Sequence, residues 1–256
     1  MKIGTISTCY ETNETLGKCF LDWHYLRYNK LFGIENVYSS VCHGCFEETA
    51  KLGYPIKSQD KTIETLNDFK DCHIIDDLTV FEEPVTEIKC WNTCLNYVLS
   101  KNVDYVILLA ADEIWSLKDI ENAVKFIQKN EYIDIFHAQF KNLIFDYHTY
   151  SLDFIVPRIF PTNKHGGLFR FYQDDLIQFI DKKKNFEVSN LTIPRSLCFP
   201  RHESWAGSPE KLKRKAAFGV LRYGMASYIW DEKENKLKFN PEYYSKVKLQ
   251  PELYHD

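Results

Sequence analysis

Long hydrophobic runs are missing from this 256-residue chain. The longest unbroken apolar stretch, Tyr105 to Ala111, falls far short of the roughly 20 residues that cross a bilayer, and the opening MKIGTIS lacks the basic-then-apolar order of a signal peptide. A cytoplasmic protein with no transmembrane segment is expected. Charge of one sign is equally scarce: 32 Lys and Arg against 36 Asp and Glu leave a net −4, too little for a global field that would attract nucleic acid or anionic lipid. The 10 glycines and 9 prolines are scattered rather than gathered into a linker, and neither a repeat nor a low-complexity tract is present. With only 8 cysteines in a chain of this length, a disulfide scaffold is excluded and reduced thiols are expected.

Several glycine-dependent signatures are absent as well. There is no G-x-G-x-x-G after the first strand, no G-x-x-x-x-G-K-[ST], no H-E-x-x-H and no G-x-S-x-G. These absences argue against dinucleotide oxidoreductases, P-loop ATPases, zincins and α/β-hydrolases. What is present is an apolar fraction of 45%, 15% of the chain being aromatic, enough for a substantial core. One domain over residues 1–207 followed by a C-terminal helix and tail over 208–256 fits best.

Apolar spacing alternates between strand and helix. Lys2 to Thr8 reads as a strand, and Glu14 to Phe32 places Leu16, Phe20, Trp23, Leu26 and Leu31 at helical spacing. Strands are expected at Asn36 to Val41 and His73 to Ile75, and a helix from Thr86 to Ser100. Asp104 to Ala110 is the clearest strand, a continuous apolar run suited to a sheet covered on both faces. Ser116-x-x-Asp119 is a capping-box pattern that opens a helix to about Gln128. Strands at Ile133 to Phe140 and Phe154 to Phe160, a turn at Gly166-Gly167, a short strand at Leu168 to Tyr172, and a helix from Pro209 to Arg222 complete the reading. The fold class expected is α/β, with a mixed, mostly parallel sheet flanked by helices and a C-terminal helical appendage.

In open α/β sheets ligands gather at the carboxyl ends of the central strands. Asp112 and Glu113 stand there, and two carboxylates in that place can hold a hard divalent cation that in turn binds a diphosphate. The competing reading is a helix cap or a solvated turn, although Ser116 already supplies the cap. Cys42-His43-Gly44-Cys45 has the spacing of a zinc or redox site, with Cys72-His73 as a further source of ligands, but it is half a zinc signature.

The chain resembles the GT-A fold glycosyltransferases of the broad family 2 type, which are inverting and depend on nucleotide-diphosphate sugars. The resemblance runs over about residues 2 to 220. It is carried by Ile3 to Glu11, by Leu21-Asp22-Trp23-His24 with Leu31 to Tyr38, and by Cys90-Trp91-Asn92. Asp104 to Glu113, similar to a strand ending in D-x-D-E, matches best; Pro157-Arg158-Ile159-Phe160 and Arg201 to Trp205 with Lys211 to Lys215 follow. Two departures stand out: Ala110 takes the place of the first aspartate of D-x-D, and the acidic residue expected to contact uracil is not evident near Cys42-His43.

The resemblance implies transfer of a sugar from a nucleotide-diphosphate donor, UDP-sugar first, to a hydroxyl acceptor with inversion, aided by Mn²⁺ or Mg²⁺. It implies metal ligation by Asp112, Glu113 and His202, and donor contacts from Thr8, Tyr10, Glu11, Asn92, Ala110, Ala111, Arg158 and Lys215. The catalytic base would be Asp175, with Asp174 beside it. The acceptor stays open among glycan, lipid-linked sugar, protein and modified nucleic-acid base. The alternatives are a catalytically degenerate binder of nucleotide sugar or glycan, a nucleotidyltransferase, and a zinc-stabilised module on Cys42, Cys45 and Cys72.

Overall fold

The computed structural model describes residues 1–152, 154–162, 169–172, 176–179, 188–223, 227–243 and 253–255. Strand β1 (Lys2–Cys9), helix α1 (Asn13–Asn29), strand β2 (Asn36–His43), short helix α2 (Glu47–Lys51), helix α3 (Thr62–Asp71) and strand β3 (Asp77–Val80) form the first part. Helix α4 (Glu87–Leu99), strands β4 (Tyr105–Leu108) and β5 (Glu113–Ile114) and helix α5 (Leu117–Lys129) follow. Then come β6 (Ile135–Gln139), β7 (Lys141–Ile144), β8 (Thr149–Ser151), β9 (Ile155–Pro161), β10 (Phe169–Tyr172), β11 (Leu176–Phe179), β12 (Asn190–Thr192) and β13 (Arg201–Trp205). Helix α6 (Pro209–Tyr223) leads to the hairpin β14 (Tyr228–Asp231) and β15 (Lys236–Phe239), and β16 (Tyr254–His255) closes the chain.

Seven strands make the main sheet in the order β12-β6-β9-β4-β1-β2-β3. Every pair in it is parallel except the two that β9 makes with β4 and β6, so the protein is mixed α/β with a mostly parallel central sheet flanked by helices. Side chains alternate across a strand. Along β1, Ile3 joins the core shared with Leu16, Phe20 and Trp23 of α1 and Ile120 and Val124 of α5, whereas Ile6 joins the opposite core with Cys90, Leu95 and Val98 of α4. Gly4 faces α4 too, and the helix lies so close that a Cβ there would stand 2.7 Å from Val98 Cβ. A second sheet, β16-β8-β7-β13-β5, hangs on the segment that follows β4.

Several boundaries differ from the sequence expectation. Helix α1 stops at Asn29 because Lys30 turns left-handed at φ +48, and Phe32 and Gly33 also take positive φ. The expected strand at His73 to Ile75 is instead the turn that follows α3: His73 has φ +57, and the Ile74 and Ile75 amides donate back to the Phe69 carbonyl. Beyond α6 the tail adds a hairpin and an edge strand, β16, that pairs with β8. The turn expected at Gly166-Gly167 lies outside the described residues. No helix among the described residues is long and apolar enough to cross a membrane.

Candidate functional site

Strands β1, β2 and β4 run parallel, so their carboxyl ends open on the same side of the sheet. Just past β4 the chain passes Ala110 and Ala111 and reaches Asp112. Asp112 is 8% exposed, and its main-chain carbonyl accepts from the Glu203 amide at 2.8 Å, which ties the loop to β13. Lys215, on the face of α6 turned toward the sheet, donates from Nζ to Asp112 Oδ2 at 3.0 Å and also to Ser204 Oγ. Burial alone would raise the Asp112 carboxyl, but the Lys215 ammonium, with Lys211 behind it, outweighs that and holds it well below the usual carboxylate range.

His202 meets the other oxygen, with Nε2 3.7 Å from Asp112 Oδ1. Its ring stacks on Phe154 at 4.2 Å between centroids, nearly parallel at 9°, and its Nδ1 lies 2.8 Å from Asn142 Oδ1. Burial drives the imidazole down to about 3, so it is neutral near pH 7. Lys211, buried and lowered by that burial, donates to the carbonyls of Glu203 at 2.7 Å and Ala206 at 2.9 Å, fixing the turn between β13 and α6.

Glu113 departs from the expected metal set. It opens β5 directly after a tight turn, which its amide closes by donating to the Ala110 carbonyl at 2.9 Å. Its carboxylate is fully buried and held by Arg158 Nε at 2.9 Å to each oxygen and by Arg158 Nη2 at 2.5 Å. The Ala110 amide donates to Glu113 Oε2 at 3.4 Å. Arg158, expected to contact the donor, thus serves as the counter-ion of Glu113 and is itself only 11% exposed.

At the end of β1, Tyr10 donates its hydroxyl to the Pro55 carbonyl at 2.6 Å, and its ring lies 6.0 Å from His43. Glu11 sits at φ +47, forms an ion pair with Arg214, and its amide donates to Ser58 Oγ at 2.8 Å. The Arg214 guanidinium also lies 5.9 Å from the centre of the Tyr10 ring, so Arg214 brings α6 onto the β1 loop. Thr8 stands opposite Cys42 in the β1–β2 register, and Asn92 lies on α4. The structure therefore brings Asp112, His202 and Lys215 together and sets Tyr10 and Glu11 on Arg214, the residue that precedes Lys215 on the same helix α6. Asp174 and Asp175 lie outside the described residues.

Sequence reasoning missed Ser204, Asn142 and Arg214. Asn142 and His202 are 60 positions apart, and only the parallel pairing of β7 with β13 brings them side by side. Arg214 sits within the basic run of α6 and is distinguished from its neighbours only by the acid it faces.

Among the described residues no three His, Cys, Asp or Glu side chains gather as a metal-binding set. The thiols of the alternative zinc reading are dispersed: Cys42 and Cys45 are buried, with Cys42 Sγ 3.3 Å from Cys94 Sγ, and Cys72 is exposed. Asp112 and His202 do fit a divalent cation as a pair. One ring nitrogen and one carboxylate oxygen face each other at 3.7 Å, which two bonds of about 2.1 Å to a single ion can span. Glu113 does not fit, because Arg158 occupies both of its oxygens.

No family model matches the chain, and no curated protein matches its sequence. Among solved structures, residues 1–349 of S. aureus TarS align at 13% identity and a TM-score of 0.49, over 92% of this chain and 68% of that one. The same protein in complex with UDP-GlcNAc aligns at 14% identity and a TM-score of 0.46, over 92% and 69%. This chain covers 41% of the longer TarS structure.

Proposed function

We propose that the protein is an inverting glycosyltransferase of GT-A type that takes a nucleotide-diphosphate sugar and moves the sugar to a hydroxyl acceptor. The observation that carries this reading is the buried Asp112 carboxylate at the carboxyl end of β4, flanked by the Lys215 ammonium and the neutral His202 imidazole. A diphosphate leaving group needs cationic charge where its own charge develops, in a site that excludes water. Lys215 supplies one such cation at an atom already positioned by Asp112 and Ser204. Asp112 Oδ1 and His202 Nε2 would hold Mn²⁺ or Mg²⁺, which when bound would neutralise further charge on the diphosphate.

In the transfer, the acceptor oxygen forms its bond to the anomeric carbon while the bond from that carbon to the diphosphate oxygen breaks, and the electron pair leaves with the nucleotide. The acceptor proton must go to a base across the site. Asp175, beside Asp174, is assigned that role from the sequence resemblance. Tyr10 and Glu11, braced by Arg214, would line the nucleoside.

The test is release of nucleoside diphosphate from UDP-sugars in the presence of Mn²⁺ and a panel of hydroxyl acceptors. Asp112→Asn and Asp175→Asn should each lower turnover at least a hundredfold while leaving the fold intact by circular dichroism. Nucleotide-sugar binding with no release for any donor would make the protein a binder of nucleotide sugar instead. Full activity in Asp112→Asn would refute the site.

A further inference from the structure

We infer that Asn142 is the positioning residue of this site: by accepting the hydrogen on His202 Nδ1 it commits the lone pair on Nε2 to a cation shared with Asp112. The inference rests on the metal-assisted reading above. Asn142 is 6% exposed on β7, Ser151 is fully buried on β8, and the two strands are neighbours in the second sheet. Asn142 Nδ2 donates to Ser151 Oγ at 3.3 Å, and Oδ1 faces His202 Nδ1 at 2.8 Å. An amide oxygen can only accept, so the hydrogen belongs to Nδ1.

A neutral imidazole with its hydrogen on Nδ1 has a bare Nε2. That nitrogen faces Asp112 Oδ1, a second acceptor, across 3.7 Å. Two lone pairs set against each other repel, and the gap is longer than a hydrogen bond. The arrangement becomes favourable when one cation accepts both. Were the hydrogen on Nε2, the ring would simply donate to Asp112 and close the place where an ion binds. Stacking on Phe154 holds the ring in the plane that carries both contacts. The hydrogen-bonded partner of a ligating histidine selects its tautomer in this way, and losing such a partner typically costs 10- to 100-fold in metal affinity.

The test reads the tautomer and the metal separately, on the full chain. With ¹⁵N-labelled histidine, and His202→Gln to assign the signal among the 8 histidines, nuclear magnetic resonance at pH 7.5 should report His202 with its hydrogen on Nδ1. Asn142→Leu should move the hydrogen to Nε2 and weaken Mn²⁺ binding, followed by loss of the free-ion paramagnetic resonance signal, about 10- to 100-fold. Asn142→Asp keeps an acceptor toward Nδ1 and should retain the wild-type tautomer. A wild-type His202 carrying its hydrogen on Nε2 would overturn the inference, and so would an unchanged Mn²⁺ affinity in a folded Asn142→Leu protein. If the wild type shows the Nδ1 tautomer yet binds no Mn²⁺ with or without UDP, the positioning by Asn142 stands and the metal-assisted reading falls.

Discussion

Glu113 and Asp112 are adjacent in sequence and opposite in use, and replacing Glu113 separates a framework role from a metal-binding one. Its carboxylate is fully buried and takes three contacts of 2.5 to 2.9 Å from Arg158, whose side chain is 11% exposed. Burial pushes the Glu113 carboxyl up while Arg158 pulls it back down, so the pair stands or falls together. Glu113→Ala leaves a guanidinium enclosed beside Phe140 without a counter-ion, and breaking one side of a buried pair costs about 3–5 kcal/mol. For a domain of this size that lowers the melting temperature by roughly 6–20 °C. Glu113→Gln keeps one acceptor and should lose about half as much. The double variant Glu113→Met with Arg158→Met should recover most of the loss, since apolar replacement of a whole buried pair is often close to neutral. Urea denaturation with an unchanged slope measures each term, and Mn²⁺ binding is measured on the same samples. A loss below about 1 kcal/mol for Glu113→Ala, or a fall of tenfold or more in the Mn²⁺ affinity of a folded Glu113→Gln protein, would refute the framework role.

Three further outcomes follow from contacts elsewhere. Gly4→Ala forces a Cβ to within 2.7 Å of Val98 and should destabilise by about 1–3 kcal/mol in thermal or urea melts, whereas an unchanged melt would mean that α4 yields freely. His43 is buried and lowered to about 4, so the unfolded chain takes up a proton that the folded one refuses. Stability from this group is complete above about pH 6.5 and is lost as pH falls toward 4, at up to about 1.4 kcal/mol per pH unit. His43→Gln should reduce the slope of stability against pH by that amount, and an unaltered slope would contradict the assignment. Lys215→Met removes the ammonium from Asp112 Oδ2, so titration should show tighter Mn²⁺ binding without nucleotide and nucleoside-diphosphate binding weaker by about 10- to 100-fold.

The sheet was legible because its central strands are strong in strand-forming residues: β4 falls where its Val-Ile-Leu run places it, β1 where its alternating Ile3, Thr5, Ile6 and Thr8 place it, and both hydrogen bonds of the Ser116–Asp119 capping box are present. Strand β13 gave no such signal, since Arg201, His202, Glu203 and Ser204 read as a surface segment. Yet the last three are buried: Asn142 meets His202, Lys211 and Lys18 meet Glu203, and Lys215 meets Ser204. Hydrophobicity cannot announce a strand whose burial depends on polar partners, two of them 60 and 185 residues away. The same limit applies at the site. Asp112 could be picked out by its position after β4, whereas Glu113 was grouped with it by adjacency, although the turn between them gives Asp112 to Lys215 of α6 and Glu113 to Arg158 of β9. Helix α3 was overlooked because only Thr62 and Leu66 of its ten residues are buried, too few to set a helical period.

The central claim, a diphosphate site on Asp112, Lys215 and His202, is tested most directly by melting the protein with UDP, GDP, CDP and dTDP, each with and without Mn²⁺. A ligand at a hundred times its Kd adds about 2.7 kcal/mol. The account predicts that one of the four nucleotides raises the melting temperature, more strongly with Mn²⁺ than without, and that Asp112→Asn abolishes the Mn²⁺-dependent part. No shift with any nucleotide at saturating concentration would contradict it.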